Sequence, residues 1–208
     1  MRWLALLGLL ASSPAIAAAS PEAMLCHRAI AAAEAESRVP ARLLEAIANV
    51  ESGRPDADGQ INPWPWTINA LGEGHFYATK AKAISAVIGL RSRGVQSIDV
   101  GCMQVNLLHH PRAFSDLAQA FDPHENARYA GLFLNDLYAQ TGAWPLAAAA
   151  YHSWTPALAK PYQRRVMAQW QRPTAGGGRH FEAFSVSGSA YRSFQPAASK
   201  FSAFASVR

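Results

Sequence analysis

Apolar residues recur at three- and four-residue intervals through "PARLLEAIANVESG", where Leu43, Leu44, Ile47 and Val50 share one face of a helix running from Pro40 to a stop at Gly53. Upstream, "PEAMLCHRAIAAAEAES" predicts a helix to about residue 37, with Ser20 as N-cap and Pro21 in the first helical position. From Arg54 to Gly74 the helical period disappears among Pro, Gly, Asn and aromatic residues. Two short strands, 66–69 and 75–78, joined by the turn "ALGEG", are expected there. Thr79 then caps a helix whose inner side is Ala83, Ile84, Val87, Ile88 and Leu90, and Gly94 ends it.

Short apolar residues around Gly101 in "VQSIDVGCMQVNLLHHP" predict a buried strand or loop. The best-marked helix follows. Asp122 is its N-cap, Pro123 its first residue, Glu125 completes a capping box, Ala127, Ala130, Leu134 and Leu137 face inward, and Gly142 stops it. Two further helices, "WPLAAAAYHS" and "KPYQRRVMAQW", carry the folded region to about Trp170. The pattern is that of a predominantly helical α+β domain with a small β-hairpin insertion.

The two ends read differently. "MRWLALLGLLASSPAIAAAS" combines one positive charge, a short apolar block and an A-x-A site, the pattern of a secretory signal peptide over residues 1–19, cleaved after Ala17 or Ala19. Ser12, Ser13 and Pro14 interrupt the apolar run too early for a stable membrane anchor. Residues 20–170 then form the domain. Residues 171–208 are rich in Ser, Ala and Gly without sustained period, a basic, low-complexity tail. Against Glu182 alone it sets Arg172, Arg179, Arg192, Lys200 and Arg208, so most of the +5 net charge of the 208-residue chain lies there. Its phenylalanines suit docking on a partner or on a polymer. A basic chain calls for an acidic partner, and export makes nucleic acid the least fitting one.

Cys26 and Cys102 are the only cysteines. In an oxidising compartment they can pair; otherwise Cys102 packs as a small core residue and Cys26 stays a free thiol. The histidines form no H-x-x-x-H pair, and no metal or cofactor motif is present in the sequence.

Glu51 is the candidate for chemistry. Its distance of four residues from Ile47 places it on or beside the apolar stripe, at the helix end where the dipole disfavours negative charge. Both effects raise a carboxyl pKa and suit a general acid. Spacing alone leaves open a glutamate turned to solvent.

The downstream segments bear on that choice. "LLEAIANVESG", "VGCMQVN", "DPHENARYAGLFL" and "AAAAYHS" resemble, in order, four segments of the lysozyme-like lytic transglycosylases of the soluble family 1 type, over about residues 22–170. The resemblance implies a lysozyme-like fold, peptidoglycan glycan strands as substrate, and no cofactor. It implies Glu51 as sole acid/base, Ser52 as a residue orienting that carboxyl or the sugar, and Met103, Gln104 and Asn106 as cleft residues. It also implies Tyr151 with its hydroxyl near Glu51, and His152 beside it where the family has Asn. The implied reaction is non-hydrolytic cleavage of the β-1,4 bond between N-acetylmuramic acid and N-acetylglucosamine, giving 1,6-anhydromuramic ends.

The 47 residues from Arg54 to Val100 exceed the usual spacing, which resembles members serving secretion, pilus or flagellar machinery. In that insertion Trp64, Trp66, Phe76 and Tyr77 are either sugar-stacking faces or a satellite core. Two other readings remain: a hydrolytic muramidase using Asp56, Asp58 or Asp99 as second carboxylate, and a wall-binding adaptor whose tail recruits a secretion or flagellar component.

Overall fold

Ser20 opens the first helix as its position dictates, its hydroxyl accepting the Ala23 amide at 3.2 Å ahead of Pro21. The computed structural model describes residues 20–56 and 59–172. The proposed signal peptide, Asp58 and the tail beyond Arg172 lie outside the described residues. Helix α1 spans Pro21–Ser37 and α2 Leu43–Glu51. The start of α2 has no side-chain cap of its own and puts Arg42 at φ 69°. Glu34 of α1 takes that role, its carboxylate accepting the amides of Arg42 and Leu44 at 2.8 Å and of Glu45 at 3.3 Å.

Gly53 does not cap α2. Ser52 does, and Gly53 begins β1 (Gly53–Pro55), antiparallel to β2 (Ile61–Pro63). A Cβ at position 53 would stand 2.1 Å from the Asn49 carbonyl oxygen and 2.5 Å from Ile61 Cγ2, so only glycine lets the strand leave the helix there. This small sheet is a feature that the Pro- and Gly-rich composition concealed.

The expected hairpin is present with shifted ends: β3 is Thr67–Ala70 and β4 Glu73–Phe76. Leu71 and Gly72, at φ 58° and 81°, make the two-residue turn. With β5 (Ile98–Val100) and β6 (Val105–Asn106) they form an antiparallel sheet in the order β4-β3-β5-β6. Between them α3 (Lys80–Ser92) buries only Ala83 and Val87; Ile88 is 57% exposed, because one side of the helix alone meets the sheet.

A short α4 (Leu117–Ala120) leads to α5 (Pro123–Thr141), α6 (Trp144–His152) and α7 (Pro156–Trp170). Asp122 caps α5 through the His124 and Glu125 amides. Glu125 does not complete the capping box; its carboxylate accepts from Arg128 at 2.9 Å instead. α7 starts four residues before Lys160 and accommodates Pro161 within it.

Two cores result. The helical one centres on Leu43, Leu44, Ile47, Leu134, Leu137 and Val166, the smaller one on Ile68, Val87, Ile98, Val100 and Phe121. Trp64 and Trp66 belong to the second core, and the Trp64 indole donates to the Tyr77 carbonyl at 2.7 Å. They are therefore satellite-core residues and not sugar platforms. Cys26 and Cys102 are disulfide-bonded with Cα atoms 5.7 Å apart, tying α1 to the turn after β5. On the chain-entropy account such a loop stabilises by about 4 kcal/mol.

Candidate active site

A cleft of about 670 Å³ lies between the helices and the sheet, and Glu51 lines it from the last position of α2. The residue keeps partial exposure to the cleft while the protein closes around its carboxyl. Burial, the main cause, together with the Asp99 charge pushes its pKa up to about 7; the Tyr162 hydroxyl and the Arg165 charge oppose the shift. A carboxyl at that value can both give and take a proton near neutral pH.

Ser52 follows it but does not reach the cleft. Its side chain is 1% exposed and its hydroxyl donates to the Cys102 carbonyl at 2.6 Å. Direct contact with a sugar is thereby excluded for the hydroxyl, which instead fastens the end of α2 to the turn carrying Cys102, Met103 and Gln104.

That turn is held on every side. Gly101 has φ +82°, and Asn126 of α5 fills the space a Cβ would need. The Asn126 amide donates to the Val100 and Ala120 carbonyls at 3.0 Å, and its oxygen accepts the Met103 amide at 2.8 Å. Met103 is fully buried in the helical core, so the expectation that it lines the cleft is corrected. The positive φ of Gly101 and Gln104 turns successive side chains to opposite sides. Gln104 does line the cleft: its amide nitrogen donates to the Gly101 and Thr67 carbonyls, while its oxygen is buried with no partner among the described residues. That oxygen is an acceptor left for a ligand donor. Asn106 also lines the cleft, but its groups are engaged with Asp99, Ser97 and the amides of Leu108 and His109.

From α6, Tyr151 and His152 line the opposite wall. The Tyr151 hydroxyl donates to the Met103 carbonyl at 2.9 Å, so it braces the turn, and the Glu51 charge lies near enough to raise its pKa along with burial. His152 stacks on the Tyr162 ring, centroids 4.6 Å apart and planes 8° from parallel. Burial and then Arg165 lower its pKa, which keeps it neutral at physiological pH. Tyr162 of α7 escaped the sequence reading. It is 1% exposed, its hydroxyl lies close enough to Glu51 to favour the ionised form, and that hydroxyl has no hydrogen-bond partner among the described residues. Helical contact between α2 and α7 brings the two together, and the phase of Tyr162 with Val166 was the one available signal.

The remaining acids separate. Asp56 is turned into the β1–β2 hairpin, accepting the Gln60 amide and the Asn62 side chain. Asp99 lines the cleft, its pKa raised by burial against the Asn106 hydrogen bond. His109 and His110 line it as well, and His110 meets the Tyr129 hydroxyl at 2.7 Å. The aromatic rings on the cleft are Tyr129, Phe133, Tyr151 and Trp154; Phe76 and Tyr77 are not among them.

A helical body, a small antiparallel sheet and a protonatable glutamate in the cleft between them define a lysozyme-like α+β domain. The family model of the transglycosylase SLT domain matches residues 28–168, and the chain belongs to that family, the soluble lytic transglycosylases of lysozyme-like type. Its general role is accordingly action on peptidoglycan. Neither a curated protein nor a solved structure gives a match.

Proposed function

We propose that the protein cleaves the β-1,4 bond between N-acetylmuramic acid and N-acetylglucosamine without water, leaving 1,6-anhydromuramic ends. Supporting this reading above all is the Glu51 carboxyl, pushed up to about 7 in the cleft. Protonated, Glu51 gives its proton to the glycosidic oxygen as the bond breaks. The substrate's N-acetyl group stabilises the cation developing at C1. Glu51, now a carboxylate, then takes the proton of the muramic 6-hydroxyl as that oxygen attacks C1. Intramolecular placement of amide and hydroxyl supplies the effective concentration that a protein nucleophile would otherwise provide. Gln104 offers its free oxygen to a sugar amide or hydroxyl, and Tyr151 and Tyr162 hold the acid's surroundings.

One observation favours a second reading. Asp99 lines the same cleft and its charge raises the Glu51 pKa, so a hydrolytic muramidase would draw its second carboxylate from there. Asp56 has no such position.

Purified peptidoglycan digested with the protein and with Glu51→Gln separates these. Anhydro ends from the parent and none from the variant are the expected products; reducing muramic ends would replace the first reading by the second. Cellular function kept in Glu51→Gln but lost on removing residues 171–208 would favour the adaptor reading. The disulfide suits an oxidising compartment and fits export by residues 1–19, and no helix among the described residues is long and apolar enough to cross a membrane. The tail remains the segment proposed to meet a secretion, pilus or flagellar component.

A further inference from the structure

α7 and the two residues after it carry Lys160, Arg164, Arg165 and Arg172 and no acidic residue. Leu158, Tyr162 and Arg165 fall at i, i+4 and i+7, one face of the helix. Leu158 lines the cleft and the Tyr162 hydroxyl is near enough to Glu51 to lower its pKa, so Arg165 is the next side chain along the same stripe. Its guanidinium stands 5.6 Å from the centroid of the Tyr162 ring, the residue is exposed, and it makes no salt bridge among the described residues. Its charge nevertheless reaches Glu51 and His152, lowering the pKa of both. A planar fork over an aromatic ring that lies one helical turn from cleft-lining Leu158, with no carboxylate of its own, is organised to take one from a ligand.

We propose that Arg165 forms an anion subsite at the α7 end of the cleft, binding a carboxylate carried on the lactyl arm of a muramic residue or on the peptide attached to that arm. The inference rests on the glycan-strand reading above. The glycan backbone itself is neutral, and the muramic arm is where its acidic groups sit. A cation fixed relative to Glu51 would therefore recognise muramic acid over N-acetylglucosamine and set which bond lies over the acid.

The test uses affinity in the Glu51→Gln protein, which needs no turnover. Three strands of equal length are compared by calorimetry: strands stripped of peptides with free lactyl carboxylates, the same strands with those carboxyls reduced to alcohols, and strands retaining their peptides. At least one carboxylate-bearing ligand should bind about tenfold more tightly than the reduced one, the scale of a charge-assisted contact at a partly solvated site. Preference for the stripped strands places the anion on the lactyl arm; preference for peptide-bearing strands alone places it on the peptide. Adding Arg165→Gln should bring the ratio to about one, and Arg165→Lys should keep part of it. Equal affinities in Glu51→Gln itself, or a ratio that survives Arg165→Gln, would overturn the subsite. A fold defect would weaken all three ligands together without selecting between them. Absence of anhydro ends from the parent protein would defeat the transglycosylase reading while leaving these ratios meaningful.

Discussion

The Ser52 hydroxyl donates to the Cys102 carbonyl across 2.6 Å, joining the residue after Glu51 to the residue bonded through sulfur to α1. Three constraints converge on one turn: this hydrogen bond, the disulfide, and the Tyr151 hydroxyl on the Met103 carbonyl. The end of α2 and the wall facing it are therefore tied together through this turn.

Removing the first of these constraints should be costly. Ser52→Ala leaves the buried Cys102 carbonyl without its donor, and a loss of about 1–3 kcal/mol is expected in urea unfolding. An unchanged midpoint would show that the hydroxyl contributes nothing to holding the turn.

The Glu51 carboxyl also makes stability depend on pH. Its pKa rises from 4.5 in the unfolded chain to about 7 in the folded protein, so the folded state binds more protons between those values. Stability should consequently fall as pH rises through that window. Glu51→Gln lacks the titrating group: it should match the parent near pH 4 and exceed it by about 1–3 kcal/mol at pH 8. A gain of equal size at both pH values would locate its cause elsewhere.

Tyr162 supplies the hydroxyl that favours the ionised form of Glu51. In Tyr162→Phe the pKa of the acid should rise further, moving the alkaline limb of kcat/KM on peptidoglycan to higher pH. With the carboxylate less stabilised as it forms, kcat should drop about tenfold. A pH profile identical to the parent's, whatever the rate, would remove Tyr162 from the proton transfer.

Local chemistry made parts of this legible from the residues alone. Ser20 and Asp122 announce helix starts because a side-chain oxygen can satisfy a free amide only there, and Gly142 announces a stop because it adopts φ +69° without strain. The phase of Glu51 with Ile47 leaves open whether it faces inward, and the downstream segments that resemble the family point it to the cleft. Met103 is expected on the cleft and is buried instead, because the backbone reversal at Gly101 and Gln104 breaks the link between sequence position and side-chain direction. Tyr162 depends on how α7 packs on α2, a relation between distant segments that no local period encodes. The β1–β2 hairpin was missed because its strands are three residues long and end in prolines, which read as breaks.

Gly53 shows what such packing means for inheritance. The Asn49 carbonyl and Ile61 occupy the space where any larger residue would put its first carbon, so the chain can leave α2 by this route with hydrogen alone at that position. A mutational screen scored only on wall cleavage would rank positions 51 and 53 side by side. One would be intolerant because of a proton, the other because of the room a methyl group takes.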